Sequence, residues 1–231
     1  MFIAIFIFRT VSAYKQHNWY YDNRIHNFGN VGLGGKLHAY MAPHTSKIID
    51  RISYNNENIR LKSIYGCKSF VNDDKLKILD MGCGVGISTK SIELMYPRSY
   101  ITGIDCSVSM LNNCPKYTSI DFKKGFVHKT KYDDNLFDFI NCMFLFHEVP
   151  NNGRKDIFDE INRILKPGGY LNILDIRLNY EPNKFMLSGE PFLLDYLSNF
   201  ENEINNIPFQ NIDKKPVSDK QLDLLFKKIE S

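Results

Sequence analysis

The chain has 231 residues, of which 43% are hydrophobic and 24% charged. That is enough for one domain with a substantial core, and it excludes an intrinsically disordered chain. Net charge is +3 from 29 basic and 26 acidic residues, with the basic ones in short pairs such as Lys123-Lys124 rather than a tract. This leaves no electrostatic footprint for nucleic acid.

Residues 2–8 form an apolar run, followed by small residues as far as Ala13. The run is too short to span a bilayer. It reads either as a buried N-terminal element or as a cleaved leader at 1–13, secretory or organellar; without a leader the protein is expected to be cytoplasmic. Five cysteines (Cys67, Cys83, Cys106, Cys114, Cys142), odd in number and without C-x-x-C spacing, argue against a zinc site or a full disulfide framework and for reduced thiols. No Asn-x-Ser/Thr sequon occurs.

Residues 14–43 are rich in aromatics, His, Asn and Gly and read as irregular structure with one short helix, punctuated by Pro43. Trp19, Tyr20, Tyr21, His26 and His38 cluster there as a candidate substrate lid, and "GLGG" at 32–35 reads as a hinge or a loop. A helix capped by Thr45 or Ser46 is expected next, with Ile48, Ile49 and Ile52 on one face, and then a second helical or mixed stretch over 57–70.

From Lys75 the pattern changes. "LKILD" is a short buried strand, and 87–95 follow as a helix. "SYITGID" is a second strand ending at Asp105, and Ser107 caps the next helix. "IDFKKGFV" gives a third strand, Phe137 to Met143 a fourth, and "YLNILDI" a fifth. Between the last two lies an amphipathic helix with Ile157, Ile161, Ile164 and Leu165 on one face, ended by Pro167-Gly168-Gly169. Apolar strands alternating with helices predict a doubly wound, mainly parallel sheet covered on both faces. "PFLLDYLSNFENEI" and "SDKQLDLLFKKI" read as two further helices. The expected organisation is a lid segment over 1–70, a cofactor-binding core over 71–180 and a helical segment over 181–231.

In such a sheet the ligand lies beyond the carboxyl ends of the strands. There the chain places "DMGCGVG", with Gly82, Gly84 and Gly86 at alternate positions. Glycine lets the backbone approach a ligand closely, and Asp105 at the end of the neighbouring strand can accept two hydrogen bonds from vicinal ribose hydroxyls. Together these predict adenosine recognition. The spacing is G-x-G-x-G, not the G-x-G-x-x-G of a pyrophosphate binder. Asp80 suits a cofactor with an ammonium group, which S-adenosyl-L-methionine (SAM) carries.

The chain resembles a class I SAM-dependent methyltransferase. "ILDMGCGVG", "GID", "LFDFINCMFLFHEVP" and "RILKPGGYLNILD" resemble four motifs of that family, in family order over residues 75–176. "FHEVP" followed by "LKPGG" is most similar to the branch acting on small molecules, the quinone-biosynthesis and type 11 enzymes. The resemblance implies that Gly82, Cys83 and Gly84 lie along the cofactor with Asp80 near its amino group. It implies that Asp105 holds the ribose, Cys106 and Met110 flank the adenine, and Met143 faces the methionine portion. In place of the acid that many relatives carry after strand three stand Phe126 and Val127, so that a backbone contact from Val127 would serve the adenine. The hairpin that usually completes the family's seven-stranded sheet is expected to be absent or modified here.

The implied reaction is in-line transfer of a methyl group to a small-molecule acceptor, without nucleic acid and without stable membrane insertion. His147, beside Glu148, reads as a base for a hydroxyl acceptor or as a strand cap, and no metal is proposed. Two other readings stay open: a non-catalytic scaffold on the same fold, and a methyltransferase for protein or nucleic acid.

Overall fold

The computed structural model describes residues 19–73, 75–116, 119–218 and 220–229; residues 1–13, read above as element or leader, lie outside them. A seven-stranded sheet runs in the order β3-β2-β1-β4-β5-β7-β6. Its strands are β1 (Lys77–Met81), β2 (Tyr100–Asp105), β3 (Asp121–Lys124), β4 (Phe137–Met143), β5 (Leu165–Ile176), β6 (Phe209–Pro216) and β7 (Gln221–Lys228). The first five are parallel and β7 is antiparallel to both neighbours. Helices cover both faces, as the apolar strands predict: Ile78, Leu79, Phe139, Ile140 and Ile173 are fully buried. No helix among the described residues is long and apolar enough to cross a membrane.

The helices are α1 (Gly32–Ser53), α2 (Ile59–Cys67), α3 (Ile87–Met95), α4 (Val108–Leu111), α5 (Asn151–Ile164), α6 (Lys184–Gly189) and α7 (Leu193–Asn205). α1 corrects the irregular reading of 14–43, because the helix begins thirteen residues before Thr45 and runs through Pro43. A proline inside a helix costs about 3 kcal/mol. What offsets it is the packing of Ala39 and Ala42 against Val85 and Met110. "GLGG" is neither hinge nor loop but the first turn of α1. A Cβ on Gly34 would lie 1.9 Å from the Phe28 carbonyl oxygen, and one on Gly35 would lie 2.5 Å from Asn30. Glycine is needed there so that residues 28–30 can fold back across the helix start.

The tail is the second correction. The expected helix over "SDKQLDLLFKKI" is strand β7, and with β6 it forms the hairpin that the sequence reading expected to be absent or modified. Leu224, Leu225 and Phe226 are all buried. A strand covered on both faces shows a continuous apolar run, and over so short a stretch that run cannot be told from a helical one. A smaller correction concerns α5, which stops at Ile164: Leu165 already pairs with Phe137, before the Pro-Gly-Gly turn.

A line of buried polar groups crosses the sheet. Asp80, Asn141 and Asn172 occupy neighbouring register positions on β1, β4 and β5. Asn141 donates to Asp80 (2.7 Å), Asn172 donates to Asn141 (2.9 Å) and to Ser63 on α2 (3.0 Å), and Ser63 donates to Asp223 on β7 (2.7 Å). Because each partner is satisfied, the line ties four strands together and fixes their register.

Candidate functional site

The glycine turn leaves β1 and is pinned to β2, where the N–H groups of Gly82 and Cys83 both donate to the Ile104 carbonyl (2.9 and 3.0 Å). Gly82, Gly84 and Gly86 all have positive φ (72°, 54° and 82°), which explains glycine at alternate positions. A Cβ on Gly84 would meet nothing within 4 Å, so its open side faces the crevice. The N–H of Gly84 donates to Asp105 Oδ2 (2.9 Å) and that of Ser107 to Oδ1 (2.8 Å). Asp105 is thus held by backbone and keeps acceptor capacity for a ligand. Burial pushes its carboxyl up to about 6, against the pull of those two donors.

Ser107 caps α4 as expected, accepting from the Met110 N–H (3.3 Å), and its hydroxyl also reaches the Asn30 carbonyl (3.1 Å). Of the residues singled out in the sequence, Gly82, Gly84, Asp105, Cys106, Met110 and Val127 line one crevice. Cys83, Asp80, Met143 and His147 are not on its wall. Cys83 is buried in the turn, beside Gly103. Asp80 is fully buried and spends its oxygens on Ser88 (2.7 Å) and Thr89 (2.6 Å) of α3 and on Asn141, so it ties the turn to the sheet. Met143 packs in the core below, among Ile78, Phe139 and Leu174.

His147, in the turn after β4, is 5% exposed. Its Nδ1 lies 2.6 Å from Asp175 Oδ1, and Asp175 also accepts from the Phe146 and Ile176 N–H groups (2.9 and 2.8 Å). Burial pulls the imidazole down, but Asp175, Glu190 and Glu148 outweigh it and hold His147 at about 9. It is therefore a buried cation at neutral pH.

Two imidazoles line the crevice, those of His128 and of His26, and the second meets carboxylates there. Its Nε2 lies 2.9 Å from Glu148 and its Nδ1 lies 3.0 Å from Glu190 at the end of α6. Burial opposes its charge, but the two glutamates raise His26 well above the ordinary value. The two buried histidines in turn outweigh the burial of Glu148 and hold it at about 2. The ring of His38 lies 4.2 Å from that of His26, and burial together with the His26 charge lowers it to about 4. Three elements far apart in sequence thus meet as alternating charges at one end of the crevice.

The rest of the wall is aromatic. Tyr20 lies tilted against Phe126 (4.8 Å between ring centroids) and stacks on His128 (5.9 Å). Phe144, the first residue after β4, has φ +56°, a left-handed backbone unusual for a bulky side chain. Closed in this way, the crevice has a volume of about 110 Å³, below the 300 Å³ or more of typical ligand pockets. The glycine cradle and the oriented Asp105 fit an adenosyl group in chemistry.

Residues 78–169 match a family described as Methyltransferase domain. The chain is 29% identical to the sterol 24-C-methyltransferase ERG6A of Gibberella zeae over 44% of this chain and 28% of that one. It is 30% identical to the demethylmenaquinone methyltransferase of Chlorobaculum tepidum over 57% of this chain and 60% of that one. The chain thus spans only part of the relatives it matches. The crystal structure of a SAM-dependent methyltransferase from Aquifex aeolicus covers 78% of this chain and 97% of its own, at TM-score 0.59 and 20% identity, which shows the fold. With four motifs in order, a turn built for close approach and a match to the methyltransferase-domain family over residues 78–169, the chain resembles the class I SAM-dependent methyltransferases and has their fold.

Proposed function

We propose that this protein transfers a methyl group from SAM to a small molecule with an apolar body and one polar group. The observation that carries the reading is Asp105, aimed at the crevice by two backbone donors beside an open glycine cradle. Asp105 would hold the ribose, and Cys106, Met110 and Val127 would wall the adenine. When bound, SAM supplies a methyl group on a sulfonium that leaves as a neutral thioether, so positioning and exclusion of water supply most of the catalysis.

The aromatic lid, Trp19 and Tyr20 with Phe126, excludes water. Glu148, ionised and on the wall, accepts a hydrogen bond from the O–H or N–H of the acceptor. His26 joins Glu148 to Glu190 and so fastens the lid over the reactants. His147, charged and held by Asp175 behind the wall, sets the potential at Glu148 and is not the group that removes a proton. The names of the relatives, a sterol enzyme and a quinone enzyme, agree with an apolar acceptor.

Titration calorimetry with SAM tests the cofactor half. Absence of binding at millimolar cofactor would leave a non-catalytic scaffold. Incubation with methyl-labelled SAM and fractionated extract tests the acceptor half, with label expected in an organic-soluble small molecule.

A further inference from the structure

Helix α1 is inside out. The face it turns to the protein carries Gly35, Ala39 and Ala42, all buried, while its large apolar side chains point to solvent. Leu33 is 86% exposed, Tyr40 70%, Ile48 55% and Ile52 75%, with Leu37 between them at 47%. Leu33, Leu37 and Tyr40, then Ile48 and Ile52 one turn beyond the exposed His44, lie along one stripe about 30 Å long at 1.5 Å per residue. An amphipathic helix normally buries such a stripe, and an exposed one marks an interaction surface.

The charges on the helix indicate the partner. Lys36, Lys47 and Arg51 are exposed along and beside the stripe, and among the described residues none forms an ion pair. The helix's one acid, Asp50, points away and is held by Arg60 (3.1 Å). A second copy meeting this face across a two-fold axis would bring like charges together. A surface that is apolar a few ångströms deep and negative above fits both sets of side chains.

We infer that the outward face of α1 is a docking surface for the anionic headgroup region of a phospholipid bilayer, on which the helix lies without crossing. The opposite face of α1 packs on Val85, Met110 and Ile87 beside the cofactor crevice. Docking would therefore hold that side of the fold against the lipid. The inference does not depend on the acceptor or on turnover.

The test is co-sedimentation of the full chain with phosphatidylcholine vesicles containing about one third phosphatidylglycerol, against phosphatidylcholine alone. We expect binding to the anionic vesicles at least tenfold tighter (about fivefold per basic residue at the surface) and weakening with salt. Leu37→Ser/Ile48→Ser and Lys47→Glu/Arg51→Glu should each lose about tenfold or more, with unchanged melting, because these positions are exposed. Equal binding to neutral vesicles, no binding by the parent protein, or full binding by both variants would overturn the inference. So would a concentration-dependent dimer abolished by Leu37→Ser, which would assign the face to a second copy.

Discussion

The two ends of the crevice are built by opposite means. The end proposed for the cofactor comes from one stretch of chain, residues 80–127, in which backbone N–H groups do the orienting and a single carboxylate faces the crevice. The end proposed for the acceptor is assembled from the segment around His26, the turn after β4, the end of β5 and the end of α6. There His26, His147, Glu148, Asp175 and Glu190 hold one another by alternating charge. A backbone cradle needs only glycine and a strand end, which neighbouring residues provide. A network of buried charges has to be closed on every side or the unpaired member is costly, so it draws partners from wherever the fold supplies them.

The largest expected effect separates the two ends. Asp105→Ala should weaken SAM binding about a hundredfold or more, the worth of two hydrogen bonds to a charged acceptor, and calorimetry should find the fold and the acceptor end intact. Unchanged affinity would break the comparison at its first term. Glu148→Gln should leave SAM affinity within about threefold while lowering turnover about tenfold or more, in the range of a lost positioning or charge contact. A matching loss of cofactor affinity would show that the two ends are not separable.

The third prediction uses pH and stability. The folded value of His147, about 9, stands above the ordinary 6.5. Its contribution is therefore complete below pH 6.5 and is lost as pH rises through about 9, a change on the order of 3 kcal/mol. Asp175→Asn removes the charge that holds His147 up, so its melting temperature should fall at neutral pH and converge toward the parent's as pH rises past 9. Parallel melting curves from pH 6 to 10 would contradict the buried cation. The smallest effect is on cofactor affinity. A ribose hydroxyl needs the ionised carboxylate, so SAM binding should weaken as pH falls below about 6, where Asp105 takes a proton. Asp105→Asn should remove that dependence.

The same contrast explains what could be read in advance. α3 and β4 have the bounds the pattern indicated, and Ser107 caps α4, because apolar runs and cap chemistry are local. Asp105 and Gly84 were legible because the strand-end rule places them. Asp80 and Met143 were assigned to the cofactor on position in a motif, yet their side chains turn into the protein. His147 was noticed, but not that its partner lies 28 residues on in β5. His26 was visible only as one aromatic-rich lid residue among several, since nothing nearby in sequence announces Glu148 or Glu190.

The sequence alone determined the alternation of strands and helices, the glycine turn and the acid that faces it. The alternation and the turn announce themselves through residue types within a few positions, and the acid through its place at the end of the next strand. The tertiary structure decided three other things. It made β7 a strand, because the short run Leu224-Leu225-Phe226 is held extended only when β5 and β6 offer it edges. It carried α1 through Pro43, because the buried alanines repay the lost hydrogen bond. It brought His26 to the crevice between two glutamates, because the charge on that histidine is set by carboxylates that only the fold brings within 3 Å.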